Sequence, residues 1–76
     1  MTPSDTAWVD NTARAIMRRT VRRFLIDSYK QRHWWIEQAD WDRENGQPVS
    51  SIINRAQSNN EHYIARWEKK YLSLAS

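Results

Sequence analysis

Arginine supplies the most chemistry in this sequence. Arg18-Arg19 and Arg22-Arg23 form two doublets four residues apart, so on a helix all four leave from one side within a single turn. The guanidinium is a planar fork that takes phosphate or carboxylate through two hydrogen bonds and stacks on flat groups. Nine of the twelve basic residues are Arg, an excess that favours anion contacts over mere solubility, which Lys would serve equally well. Lys30 extends the same side, and Ile26 and Tyr29 interrupt it, the tyrosine offering a ring for stacking. Placed on DNA or RNA, Arg18, Arg19, Arg22, Arg23 and Lys30 would contact phosphates. Placed on a protein, they would clasp an acidic surface.

The charge is segregated. Residues 14–32 carry seven cations against Asp27 alone, net +6, whereas the whole chain is only +3. Glu37, Asp40, Asp42 and Glu44 follow, opposed by Arg43 alone, so residues 33–44 carry −3. A concentrated cationic segment makes a local positive potential that phosphate backbones and acidic faces both feel. The acidic block is also an available internal partner, in which case the Arg face would be an ordinary solvated surface.

Tryptophan is the second excess, at five residues. Trp35 and Trp67 fit apolar stripes and belong with a core. Trp34, adjacent to Trp35, cannot easily face the same core, so either it seals the edge of the bundle or, with Trp41, it is a protein-contact residue.

Other constellations are incomplete. His33 and Glu37 are four apart, as two metal ligands on one helix face would be, but no further ligand joins them and no metal or cofactor is expected. Asp40-x-Asp42-x-Glu44-Asn45-Gly46 opens like a calcium loop, yet the Gly arrives one residue late and Ser51 stands where the bidentate Glu belongs. The stretch from Val49 to Lys69 resembles the helix-turn-helix of small repressors, ending in Ile64-Ala65-Arg66-Trp67-Glu68-Lys69 as a recognition helix would. Asn54 stands where that motif packs a small residue, and Ser58 stands near the turn where Gly is customary.

These residues need elements to position them. Asn45-Gly46-Gln47-Pro48 is the strong breaker, dividing the chain into a first arm over 5–44 and a second over 49–74, after a short tail at 1–4. On a wheel of about 100° per residue, Ala13, Ile16, Met17, Thr20, Val21, Phe24, Leu25 and Ser28 cover one half of the first arm. The Arg doublets and Lys30 cover the other, which makes an amphipathic helix with a basic outer face. Ser4 or Asp5 can cap its start. Asp27 or Ser28 could cap a further helix, so a bend is expected between Asp27 and His33. In the second arm Val49, Ile52, Ile53, Ala56, Asn60, Tyr63, Ile64, Trp67, Tyr71 and Leu74 keep helical phase, polar only at Asn60. Pro48 or Ser50 can start that helix, and Ser58 with Glu61 fits a capping box that could interrupt it.

The expected fold is therefore all-α: two long helices, the first bent, as a helical hairpin or a three-helix bundle. A lone hairpin buries little, so pairing two copies as a dimeric four-helix bundle is attractive. At 76 residues the chain is one domain, too short for a walled catalytic cavity, so an enzyme is not expected. With no cysteine there is neither a disulfide framework nor a thiolate zinc site. No apolar run approaches the ~18 residues of a membrane span, and nine acidic residues argue against a membrane-surface peptide. Met-Thr-Pro-Ser-Asp lacks the layout of a secretory signal, which makes the cytoplasm the expected location. The leading expectation is a small regulator that binds nucleic acid. The alternative is an inhibitor or adaptor, of the kind mobile elements encode, acting on an acidic partner.

Overall fold

Thr2 starts the first helix. Its hydroxyl accepts from the Asp5 backbone N–H at 3.2 Å, and the Asp5 carboxylate accepts from the Thr2 N–H at 3.1 Å, a reciprocal capping box with proline in the first turn. Helix α1 therefore spans Pro3–Glu44, beginning just ahead of the Ser4 or Asp5 start that the sequence suggests. The computed structural model describes residues 1–75; Ser76, the last residue of the expected domain, lies outside the described residues.

The expected bend between Asp27 and His33 is absent. Helix α1 runs unbroken for 42 residues, about 63 Å at 1.5 Å per residue. No Gly or Pro interrupts Ser4 to Glu44, so the helix keeps its backbone ladder through Asp27 and Ser28 rather than restarting there.

At its C-terminus the chain turns in a Schellman motif. Gly46 adopts φ +71°, a left-handed conformation that glycine takes without steric cost. The Gly46 N–H donates to the Arg43 carbonyl at 3.0 Å and the Gln47 N–H to the Asp42 carbonyl at 2.9 Å. The Ser50 hydroxyl then accepts from the Ile52 N–H at 3.2 Å and so caps the second helix, α2, Ser51–Ala75. The Asp42 carboxylate accepts from the Ser50 N–H at 3.3 Å, tying the two ends of the turn together. Helix α2 passes through Ser58 and Glu61 without interruption, which leaves no turn for a helix-turn-helix.

The two helices pack as a hairpin with no strand among the described residues. Phe24 meets Trp67, and the Asn60 side-chain amide donates to the Ser28 carbonyl at 3.2 Å. That bond explains the one polar residue in the α2 stripe: Asn60 is buried, and its donor is satisfied by the facing helix. The remaining core is small. Val21, Leu25 and Ala39 from α1 and Ile64 from α2 are the buried apolar residues. Helix α2 is about 37 Å long, so it covers only the later part of α1. Pro3 to Asn11 is exposed throughout, Trp8 included.

The hairpin has two unlike faces. On one, Phe24, Trp35, Ala56, Tyr63 and Trp67 line an open groove of about 560 Å³. On the other, Arg32 grips Glu61 through two hydrogen bonds of 2.7 and 2.9 Å, and its guanidinium lies 5.4 Å from the Tyr29 ring centre. Trp35 and Trp67, expected in a core, are thus only half-buried.

Candidate nucleic-acid interface

The first half of α1 carries the basic side chains outward. Because Val21, Leu25 and Ser28 turn toward α2, residues 100–180° away around the helix face solvent. Arg19, Arg22, Arg23 and Lys30 are exposed there and share a surface hollow with Ile26 and Asp27. Among the described residues, none of these four cations lies within salt-bridge distance of a carboxylate, Asp27 included.

The acidic block does not neutralise this edge. Arg23 and Glu37 are 14 residues apart on one continuous helix, about 21 Å along its axis. Asp40 instead pairs with Arg43 at 3.1 Å, and Asp42 holds the turn. A straight α1 keeps its own opposite charges apart.

Arg18 and Tyr29 are placed differently from their sequence neighbours. The Arg18 guanidinium lies 5.7 Å from the ring centre of Tyr71 on α2, and together with Arg22 it borders a second hollow. Tyr29 lies on the braced face, one side of its ring taken by Arg32. Desolvation, and then the negative charge of nearby Glu68, push its phenol above the ordinary tyrosine range. It supports Arg32 rather than presenting a free ring beside Arg23. Arg32 itself, part of the basic run in sequence, is committed to Glu61.

Further cations lie at the same end of the hairpin as the basic run. The Arg18–Tyr71 contact sets Arg66, Lys69 and Lys70 of α2 at the same end of the hairpin as the Arg doublets. The sequence signal for this was available in the turn, since counting outward from Gly46 pairs the start of α1's basic run with the end of α2.

Trp34 packs edge-on against Trp35, ring centres 4.6 Å apart at 78°, yet remains 52% exposed; Trp41 is 57% exposed. His33 and Glu37 gain no third ligand, and no group of three or more metal-type side chains gathers among the described residues. No helix among them is long and apolar enough to cross a membrane. No family model, curated protein or solved structure matches the chain.

Proposed function

We propose that this chain is a small, non-enzymatic regulatory protein of the cytoplasm that binds DNA or RNA through the outer edge of α1. The observation that carries the reading is the unneutralised cationic row of Arg19, Arg22, Arg23 and Lys30 on one rigid helix. From Arg18 to Lys30 the row is about 18 Å long, roughly five base steps at 3.4 Å each. Arg66, Lys69 and Lys70 widen the positive end, which suits a backbone-tracking contact more than the reading of individual bases. Arg18, braced on Tyr71, offers a guanidinium already held in place.

Titration against labelled duplex DNA and against RNA at several salt concentrations tests this. With five phosphates engaged, the logarithm of the association constant should fall against log salt with a slope of about −4 to −5. Changing Arg18, Arg19, Arg22 and Arg23 together to Gln should remove most of that slope while helicity is kept. Absence of binding at low salt, or a slope indifferent to the four substitutions, overturns the assignment.

A second reading is favoured by Trp34 and Trp41, two large aromatic side chains standing half in solvent. In an inhibitor or adaptor they would fill pockets on an acidic partner while the Arg row clasps its carboxylates. Capture of a protein from nuclease-treated lysate that is lost with Trp34→Ala and Trp41→Ala supports this reading over the first.

A further inference from the structure

One copy of the chain leaves the groove face open. Phe24, Trp35, Tyr63 and Trp67 line it, and Ile52, eleven residues before Tyr63, continues the α2 side toward the turn. Tyr63 and Ile52 are 56% and 74% exposed, and no salt bridge crosses this side. The hairpin as a whole exposes more surface than a compact chain of its mass. The chain exposes 6275 Å², whereas a compact monomer of 9.2 kDa exposes about 4,900 Å² by the usual scaling. The excess of roughly 1,300–1,400 Å² is spread along the whole elongated hairpin, the uncovered start of α1 included, and the groove is one part of it. The radius of gyration, 18.5 Å, says the same against about 11 Å for a compact chain of this length.

Charge indicates what closes the groove. The hairpin is polarised along its length: Arg18, Arg19, Arg22 and Arg23 with Arg66, Lys69 and Lys70 lie toward the open end, and Glu37, Asp40, Asp42 and Glu44 lie at the turn end. We propose that the groove is covered by a second copy of the chain, docked groove to groove with the hairpins antiparallel, as a four-helix bundle. That orientation lays the basic end of each copy along the acidic end of the other. A parallel pair would stack like charge on like charge at both ends. With the two-fold axis passing near residue 30, Arg23 of one copy stands level with Glu37 of the second copy. Gln31 and Asn59, polar residues in the groove lining, then fall beside the axis, where their amides can bond across it and fix the register. Arg19, Arg22 and Lys30 stay on the outer edge, so the dimer leaves three of the four cations of the proposed nucleic-acid row open and shares Arg23 with it.

Sedimentation equilibrium over a wide concentration range, without nucleic acid, gives the first test. The expected mass is twice the 9.2 kDa of the chain. A single monomeric species up to hundreds of micromolar overturns the proposal and assigns the groove to another partner. Tyr63→Glu, at an exposed groove position, should weaken the dimer at least tenfold with helicity retained, while Leu72→Glu on the opposite face should leave the mass unchanged. Equal effects of the two would overturn the groove as the interface. Since the chain has no cysteine, Gln31→Cys should form an intermolecular disulfide on mild oxidation and Ile16→Cys should not. The reverse pattern, or cross-linking at neither position, overturns the antiparallel register. Arg23→Glu and Glu37→Arg should each weaken association, and combining both in one chain should restore it; failure to restore overturns the charge argument.

Discussion

Across the groove face Phe24, Trp35 and Trp67 meet with no ion pair between them, whereas across the opposite face Arg32 holds Glu61 and Arg18 lies over Tyr71. Both faces are made by the same pair of helices. The difference lies in what water does for each. Charged and cation–π pairs keep their polar ends solvated, so Arg32, Glu61 and Arg18 are satisfied within one copy, although Ile26 and Leu72 stand exposed beside them. Aromatic surface gains only when water is removed, and a two-helix layer leaves part of each groove ring wet, Tyr63 the most. The braced face ties the helices through charged and cation–π pairs, and the groove face through aromatic contact.

The sharpest break in this comparison is expected where both faces rest on the same residue. Among the described residues, Ile64 is the one large side chain fully buried between the helices. Ile64→Ala should cost about 2–4 kcal/mol, most of what a core this small supplies. Thermal melting followed by circular dichroism should then lose its cooperative transition; an unchanged midpoint would show that the shared core is not the support.

A direct contrast of the faces comes next. Trp67→Ala on the groove side should cost about 2 kcal/mol, less than a fully buried Trp because part of the ring is already in water. Arg32→Ala on the braced side should cost about 0.5–1 kcal/mol, and less at high salt, since the pair is largely exposed. Denaturant midpoints measured at two salt concentrations decide this. Equal costs for the two variants would erase the distinction between the faces.

The smallest effect lies where α1 has neither face. Hydrogen bonding from the Thr2 backbone N–H, then from its hydroxyl, holds the Asp5 carboxyl below the ordinary aspartate range. A lowered folded-state value means that the cap contributes above the ordinary range and is lost as pH falls through the folded value. Protection of the Thr2, Asp5 and Thr6 amides, taken relative to their intrinsic exchange, should fall in that acid window. Asp5→Asn should exchange fast on both sides of it, and pH-independent protection in the parent chain would remove the capping box as the cause.

Much of this architecture was legible in advance for identifiable reasons. The α2 stripe kept one phase from Ile52 to Leu74, and one helix follows it, Ser58 and Glu61 notwithstanding. The turn was legible because Asn45-Gly46 permits the left-handed residue that a Schellman motif requires. The bend was misjudged because Asp27 and Ser28 can cap a helix but need not, and the packing of α2 across Ser28 favours the straight ladder. For the candidate site, the Arg row was visible as spacing. Its separation into exposed cations and a braced Arg18 was not, because Tyr71 lies 53 positions away in sequence.

Local patterning alone determined the helices, the turn between them and the segregation of charge, since periodicity, capping and breaker residues act within a few positions. Only the tertiary structure decided which charges remain unpaired. A continuous α1 holds its acidic and basic blocks apart as no sequence count could reveal, and the antiparallel return of α2 gathers Arg66, Lys69 and Lys70 to the basic end. The same return separates a groove from a braced face, because which residues meet across two helices depends on their register, a property of the pair and of neither helix by itself.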